Sequence, residues 1–409
     1  MLQMVNAEPH RRGREKAPLR KGLTLSALAL GTFAIGSGEF GTNGIIQLYA
    51  SDFDSSISLA TYAVTAYALG VVVGSPLITV LAARLNRKTL LLGLIGLFIV
   101  GNILSAMATS IGALIAARFV TGTVQGAYFG AAAVVAAYVY GSGKAGKAFA
   151  TVMAGLTVAT IFGSPLGTAI GQSFGWQWLY IAVSALGLLA GMALYLWVPK
   201  SADLSGGAIS RELSALTRRA VWAMIAVASL GISSIFAVYT FIGPYITDAA
   251  GVSKAVIPIA LAVFGLGMAV GNQVGGRLAD RFVLRGLVLG YALVLVFLVV
   301  VALGGMWLPA LFVGLFGVGA SAMMAIPSIQ VLLTRFAPEA PTLMGAMNLA
   351  ALNLANALGA VGGAIALSAG FGTLSTAWAG FILAISGLLV LALTIPRSLQ
   401  RLSPAESVE

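Results

Sequence analysis

Long apolar segments are the feature that most constrains how this chain can fold. Of its 409 residues, 59% are hydrophobic and only 9% are charged, whereas soluble domains carry about 25% charged residues. A membrane-spanning α-helix needs about 20 mainly apolar residues, and the chain offers twelve such segments. The sequence therefore predicts an all-α integral membrane protein with twelve transmembrane helices. The predicted spans are 22–49, 57–82, 89–108, 112–140, 147–171, 177–198, 221–247, 255–279, 284–304, 308–333, 342–369 and 374–396.

Basic residues lie at alternate loops of this predicted topology. Apart from Arg118, which is inside a span, and Lys254, every lysine and arginine falls in a tail or near a loop that follows an even-numbered span. Loops rich in lysine and arginine face the cytoplasm, so both termini are predicted to be cytoplasmic. The net charge of +11 thus reflects the topology. The expected surroundings are a lipid bilayer, and no nucleic-acid partner is expected.

Matching residues about 196 positions apart indicate an internal repeat. Ala83-Arg84 corresponds to Asp280-Arg281, and Gly163 corresponds to Gly359. The predicted organisation is two pseudo-symmetric six-helix bundles joined by a linker. Its parts are a tail at 1–21, a bundle at 22–198, a linker at 199–220, a bundle at 221–396 and a tail at 397–409. Two parallel repeats with a site between them near the middle of the bilayer are typical of alternating-access transporters.

Glu39 is the acidic residue that lies well inside a predicted span. A charge at the centre of a bilayer costs about 2.5–3.5 kcal/mol on insertion scales, so such residues usually face a cavity. On span 1, helical spacing aligns a polar stripe that should face the bundle interior. Its members are Thr32, Gly36, Glu39, Asn43 and Gln47. We therefore expect any proton or ion movement to occur at Glu39.

Arg118 in span 4 is predicted to lie at a depth similar to that of Glu39. Burial opposes ionisation of a carboxyl group, whereas a nearby guanidinium favours it. A site that alternates between these environments would bind and release a proton, so Glu39 and Arg118 are the candidate proton-coupling residues, in direct or water-bridged contact. A static buried ion pair that fixes helix packing is the alternative.

Four stretches in the expected order resemble motifs of the major facilitator superfamily, and within it of the drug:proton antiporter branch that includes arabinose-efflux-type permeases. They are residues 37–40 in span 1, 118–122 in span 4, 163–167 in span 5 and 348–359 in span 11. The resemblance covers essentially the whole chain. It implies proton-coupled drug efflux of the multidrug-resistance type, a monomer, and a place in the bacterial inner membrane.

The resemblance also implies a cytoplasmic gate between the halves, with one departure from the family pattern. In the loop between spans 2 and 3 (the 2–3 loop), this chain has Ala83 and Asn86 at the positions where the family pattern has an acid and a glycine. The second copy, between spans 8 and 9, keeps its acid as Asp280. Asp280 is therefore expected to contribute more than the first-half copy to closing the cytoplasmic gate. A bend in span 5 is expected at its glycines and proline, because proline kinks a helix. The candidate gating residues are Arg84, Arg87, Gly163, Pro165, Gly167, Asp280 and Arg281.

Candidate substrate contacts are neutral polar, aromatic and methionine side chains inside the spans. Flexible methionines and aromatic rings suit a tolerant, largely apolar pocket, although any one of these residues can instead serve helix packing. The candidates are Asn43, Gln47, Gln125, Phe129, Tyr239, Tyr245, Met324, Asn348, Asn353 and Asn356.

The best-supported prediction is a secondary transporter that exports a small organic molecule, most readily a drug-like compound, in exchange for protons. The alternatives are a sugar or nucleoside exporter of the same branch, and an uptake carrier that is proton-independent or a symporter. A membrane enzyme would need a convergent catalytic set, and a sensor would need a soluble output domain. The chain has no cysteine and one histidine, so no metal or other cofactor is expected.

Overall fold

The structure is a computed structural model, which describes residues 21–43, 45–55, 57–206, 209–253 and 256–399. The described residues form helices and connecting turns without a β-strand. Twelve helices are long and apolar enough to cross a membrane, which confirms the predicted fold class. They are α1 (Lys21–Asn43), α2 (Ile57–Leu81, in three parts), α3 (Arg87–Ala106), α4 (Ile111–Tyr140), α5 (Ala145–Phe174, in three parts), α6 (Trp176–Trp197), α7 (Arg219–Tyr239), α8 (Ile257–Arg281), α9 (Val283–Gly304), α10 (Leu308–Phe336), α11 (Pro341–Ser368) and α12 (Ser375–Leu399).

The first span is shorter than the sequence predicts. α1 ends at Asn43, and a separate short helix, Ile46–Asp52, follows it. The Asp52 carboxylate accepts a hydrogen bond of 2.9 Å from the indole N–H of Trp176 at the start of α6. This contact anchors the short helix to the first bundle, so the apolar run up to Tyr49 is divided between two helices.

Both α2 and α5 contain a π-helical turn immediately before a serine–proline pair. The turns are Gly70–Gly74 and Ala159–Gly163, and each is followed by a helix that begins with Ser-Pro. Proline lacks the N–H that an α-helix would use, and a π-turn is a known way for a helix to absorb such a break. The structure thus has a backbone irregularity where a bend in span 5 was predicted. The same Gly-Ser-Pro-Leu sequence produces one in span 2, which was not predicted.

The two halves pack together along two helix pairs. Because the number of spans is even, α1 begins and α12 ends on one side of the membrane, here called the terminal side. On that side α4 packs on α11 so closely that a Cβ built on Gly345 would lie 2.2 Å from the Gly130 Cα. In the second pair, α5 packs on α8, and Asn272 donates a 2.7 Å hydrogen bond to the Ala150 carbonyl. These contacts join the halves on the terminal side.

Candidate functional site

Glu39 reaches the centre of the molecule from the last turns of α1. Its carboxylate Oε2 accepts a hydrogen bond of 2.7 Å from Gln125 Nε2 on α4. Behind it, α1 is held tightly against α5, because a Cβ built on Gly36 would lie 2.8 Å from the Ala159 Cβ. One turn earlier, Thr32 donates to the Val152 carbonyl at 2.7 Å. Thr32 and Gly36 of the polar stripe therefore pack against α5, whereas Glu39, the next described member, faces the central cavity.

Arg118 is buried beside Glu39 without forming an ion pair with it. The side chain is only 1% exposed, and its Nη2 donates to the backbone carbonyl of Gly38 at 3.1 Å. The guanidinium lies over the rings of Tyr67 and Tyr180, 4.5 and 5.4 Å from their centroids. The contact made by Arg118 is thus to the residue before Glu39. Gln125, two helical turns further along α4, occupies the position next to the carboxylate.

Glu39 lines a central cavity bounded by both halves. Its volume is about 70 Å³, well below the roughly 300–1,000 Å³ typical of small-molecule pockets, so a drug-sized molecule would require the cavity to widen. The wall is mainly aliphatic, aromatic and methionine side chains, with a few amides and hydroxyls. The lining residues are Glu39, Phe40, Gln125, Met153, Leu156, Thr160, Ile232, Ile235, Phe236, Tyr239, Phe264, Met268, Met323, Ile326, Leu349, Leu352, Asn353 and Asn356.

Four of the candidate substrate residues lie on this wall together with Glu39. They are Gln125 from the first half and Tyr239, Asn353 and Asn356 from the second. The Tyr239 ring packs on Phe264 at 5.2 Å. Asn353 donates to the Leu349 carbonyl of its own helix at 3.0 Å, while Asn356, one turn later, is exposed. The two asparagines place amide groups on one face of α11.

Four other candidates are placed elsewhere. Phe129 is fully buried, and Tyr245 shares a hydrogen bond with Thr376 in the second bundle. Asn348 donates to Gln330 at 3.0 Å. The cavity is lined by Met323 and not by its neighbour Met324, whose backbone carbonyl oxygen would lie 2.4 Å from a Cβ built on Gly275 of α8. The side chains of Asn43 and Gln47 lie outside the described part of the structure.

Sequence reasoning missed most of the apolar wall. On α7 the wall is Ile232, Ile235, Phe236 and Tyr239, an i, i+3, i+4, i+7 pattern that marks one helical face. That signal was available, but the same pattern also describes helix packing in a protein whose spans are apolar on every side. Met153 and Met268 add flexible side chains to the wall.

Asp280 joins the two halves on the terminal side. Its Oδ1 accepts from the Gly146 backbone N–H at 2.7 Å, and its Oδ2 accepts from that of Lys147 at 3.1 Å. Both N–H groups belong to the first turn of α5, where a helix has unpaired donors and a partial positive charge. The geometry is that of an acid capping a helix supplied by the other half.

The other candidate gating residues divide into buried and exposed positions. Arg87 is buried, whereas Arg84 and Arg281 are exposed. In α5, Gly163 lies against Ser37, since a Cβ there would be 2.2 Å from the serine Oγ. A Cβ built on Gly167 would likewise lie 2.6 Å from Leu179 Cδ1. Pro165, between the two glycines, is exposed. These glycines admit α1 and α6 close to the irregular part of α5.

In the 2–3 loop, Ala83 and Asn86, the two residues that depart from the family pattern, contact the linker between the halves. Asn86 caps α3 by accepting from the Lys88 N–H at 3.0 Å, and its Nδ2 donates to the Ser201 carbonyl at 2.8 Å. A Cβ on Gly206 would lie 1.8 Å from the Ala83 carbonyl oxygen. The 2–3 loop is therefore covered by residues 201–206 of the linker.

Fold and site together define a membrane transporter with two six-helix halves and a central cavity. The Major Facilitator Superfamily model matches residues 28–360 and, in a second match, 226–408. The chain belongs to this superfamily of transporters, and it is not an enzyme. The proton:xylose symporter XylE has the same fold, with a TM-score of 0.72 and 15% identity over 92% of this chain and 96% of that one.

Bacterial transporters are more similar in sequence. The inner membrane transport protein YdhP of Escherichia coli K12 is 36% identical over 85% of this chain and 90% of its own. The putative transporter AraJ of the same strain is 32% identical over 84% and 88%. The chloramphenicol resistance protein of Streptomyces lividans is 33% identical over 90% and 95%. These relatives confirm the resemblance to the drug-antiporter and arabinose-efflux-permease branch and support a multi-pass protein of the inner membrane.

Proposed function

We propose that this chain is a secondary active transporter that exports a small, drug-like organic molecule in exchange for protons by alternating access. The observation that carries the proposal is the position of Glu39. A single carboxylate from the last turns of a transmembrane helix lies on the wall of the cavity between the halves, and intramembrane acids commonly mark proton or ion pathways.

The chemistry of the cavity supports a largely apolar cargo. Three methionines and four aromatic residues belong to the lining, and such side chains adapt to varied apolar shapes. The printed name of the Streptomyces lividans relative, a chloramphenicol resistance protein, agrees with a drug as cargo. A free sugar would find few hydrogen-bonding groups on this wall, since the polar ones are Glu39, Gln125, Thr160, Tyr239, Asn353 and Asn356.

The terminal side is the cytoplasmic side in this proposal, because the basic loops lie there. Contacts on that side, such as Asp280 with Gly146, would keep the cavity closed to the cytoplasm while it takes up protons from outside. Neutralising Glu39 would weaken the hold on the cargo and allow the return to the inward-open state. A membrane potential adds about 2.3 kcal/mol per charge per 100 mV, enough to bias the direction of the cycle.

The test is proton movement in liposomes that contain the purified protein, measured as a compound panel is added. The panel holds chloramphenicol-like neutral drugs, lipophilic cations, pentoses and nucleosides. We expect a drug-like compound to induce proton flux in the native protein and none in Glu39→Gln. Substrate exchange without proton flux, unchanged in the variant, would contradict proton antiport.

A further inference from the structure

The contact between Glu39 and Gln125 leaves one buried polar atom without a partner. Gln125 Nε2 donates to Glu39 Oε2, whereas Oε1 of the same amide is buried and has no hydrogen-bond partner among the described residues. The whole side chain is 1% exposed. Leaving a buried acceptor unpaired costs about 1–3 kcal/mol, so a second use for this oxygen would explain its position.

From this arrangement we infer that Gln125 is a positioning residue for proton transfer, whose amide holds the Glu39 carboxyl group in both its ionised and its protonated form. The inference rests on the proposed proton-coupling role of Glu39. It changes the expectation for Gln125 itself, which the sequence placed among the substrate contacts.

An amide can serve both forms because it carries a donor and an acceptor at nearly equivalent positions. An ionised carboxylate only accepts, and here it receives the Nε2 N–H at 2.7 Å. A protonated carboxyl has an O–H to donate. Half a turn of the Gln125 amide would place Oε1 where Nε2 now lies, and the oxygen that lacks a partner would then accept that O–H.

The other groups around Glu39 do not replace this amide. On α4, Arg118 is the nearby cation, and its Nη2 donates to the Gly38 carbonyl. The Tyr67 ring of α2 lies against the Arg118 guanidinium, and the Tyr239 ring of α7 packs on Phe264. The Tyr180 hydroxyl of α6 lies 3.4 Å from that of Thr42. On α5 and α11 the cavity-lining residues are uncharged, and Thr160 donates to its own helix at 3.1 Å. Among the described residues, Gln125 makes the hydrogen bond to this carboxylate.

Loss of the amide should therefore affect the two forms of Glu39 unequally. Hydrogen bonds to charged groups are roughly twice as strong as those between neutral groups, so the ionised form loses more. Proton binding becomes more favourable by about tenfold. The pH at which substrate-induced proton release is half-maximal should rise by about one unit.

The experiment measures substrate-induced proton release against pH for purified protein, with a drug identified by the compound panel as the probe. Gln125→Met keeps the length of the side chain and removes both hydrogen-bonding atoms. Gln125→Asn keeps an amide but withdraws it by one methylene, so it tests the same contact if the first variant fails to fold. Gln330→Met is the matched control, because Gln330 is a buried glutamine of the other half bonded to Asn348.

We expect an upward shift of the midpoint in both Gln125 variants and the native midpoint in Gln330→Met. A native midpoint in folded Gln125 variants, or a change only in the substrate concentration needed, would overturn the inference while leaving proton antiport standing. Proton release that persists in Glu39→Gln would instead remove the proposed function on which the inference rests.

Discussion

Asp280, at the end of α8 in the second half, accepts a hydrogen bond of 2.7 Å from the backbone N–H of Gly146 in the first turn of α5. The two residues belong to different halves, so the contact exists only while the terminal sides are together. A carboxylate at a helix N-terminus is favourable both as a cap and through the helix dipole. Removing this contact should therefore change the proportion of molecules in which the terminal side is closed.

Replacing Asp280 with alanine should favour opening of the terminal side. Loss of a capping acceptor costs about 1 kcal/mol, which is roughly a fivefold change in the ratio of closed to open molecules. The measurement is the distance between spin labels at Ser142 and Pro338, exposed residues beside this seam. The chain has no native cysteine, so both labels can be attached to introduced cysteines.

Asp280→Asn serves as the milder variant, because asparagine caps helices nearly as well as aspartate. It should leave most molecules closed. Equal distance distributions for the native protein and Asp280→Ala would show that this contact does not hold the terminal side together.

A methyl group on Gly345 should force α11 away from α4. The Cβ would lie 2.2 Å from the Gly130 Cα, a backbone atom that cannot rotate aside. The same spin-label pair should therefore report a longer distance in Gly345→Ala. Gly93→Ala is the control, because nothing lies within 4 Å of a Cβ at that position. A native distance in Gly345→Ala would mean that the helices tolerate closer packing than the structure shows.

Arg118→Lys should lower both thermal stability and transport. A lysine ammonium is a compact charge that cannot lie flat over Tyr67 and Tyr180 while it reaches the Gly38 carbonyl. Arg118 is 1% exposed, and leaving the buried Gly38 carbonyl without its hydrogen bond should cost about 1–3 kcal/mol. Thermal unfolding in detergent is the measurement, with Arg84→Lys as an exposed control. If Arg118→Lys unfolds like the native protein, the contacts of this arginine with Gly38, Tyr67 and Tyr180 do not stabilise the fold.

Gly206→Ala should detach the linker from the 2–3 loop. The added Cβ would lie 1.8 Å from the Ala83 carbonyl oxygen, so the chain at 201–206 must move, and the bond from Asn86 to Ser201 should be lost with it. Limited proteolysis measures this change as faster cleavage near residues 201–206. Gly22→Ala, at a position with nothing within 4 Å of a Cβ, should be cleaved like the native protein. Unchanged cleavage in Gly206→Ala would contradict a docked linker.

The twelve spans could be predicted because each depends on local composition alone. The first span was overestimated, since the apolar run to Tyr49 hides a break that Asp52 and Trp176 help to define. Glu39 was identifiable as an isolated charge, and Asp280 by comparison with its repeat partner Ala83. Their contacts were not identifiable, because the distances from Gln125 and Gly146 depend on how helices pack. Which of Met323 and Met324 lines the cavity likewise depends on the rotation of α10 about its axis. Composition gives no information on that rotation.

The central claim is that Glu39 couples cargo export to proton entry, and uphill transport tests it most directly. Proteoliposomes would be given a pH gradient and equal concentrations of a transported drug on both sides. The native protein should build a drug gradient, whereas Glu39→Gln should exchange labelled for unlabelled drug without building one. A Glu39→Gln protein that still concentrates the drug to the native level would contradict the account.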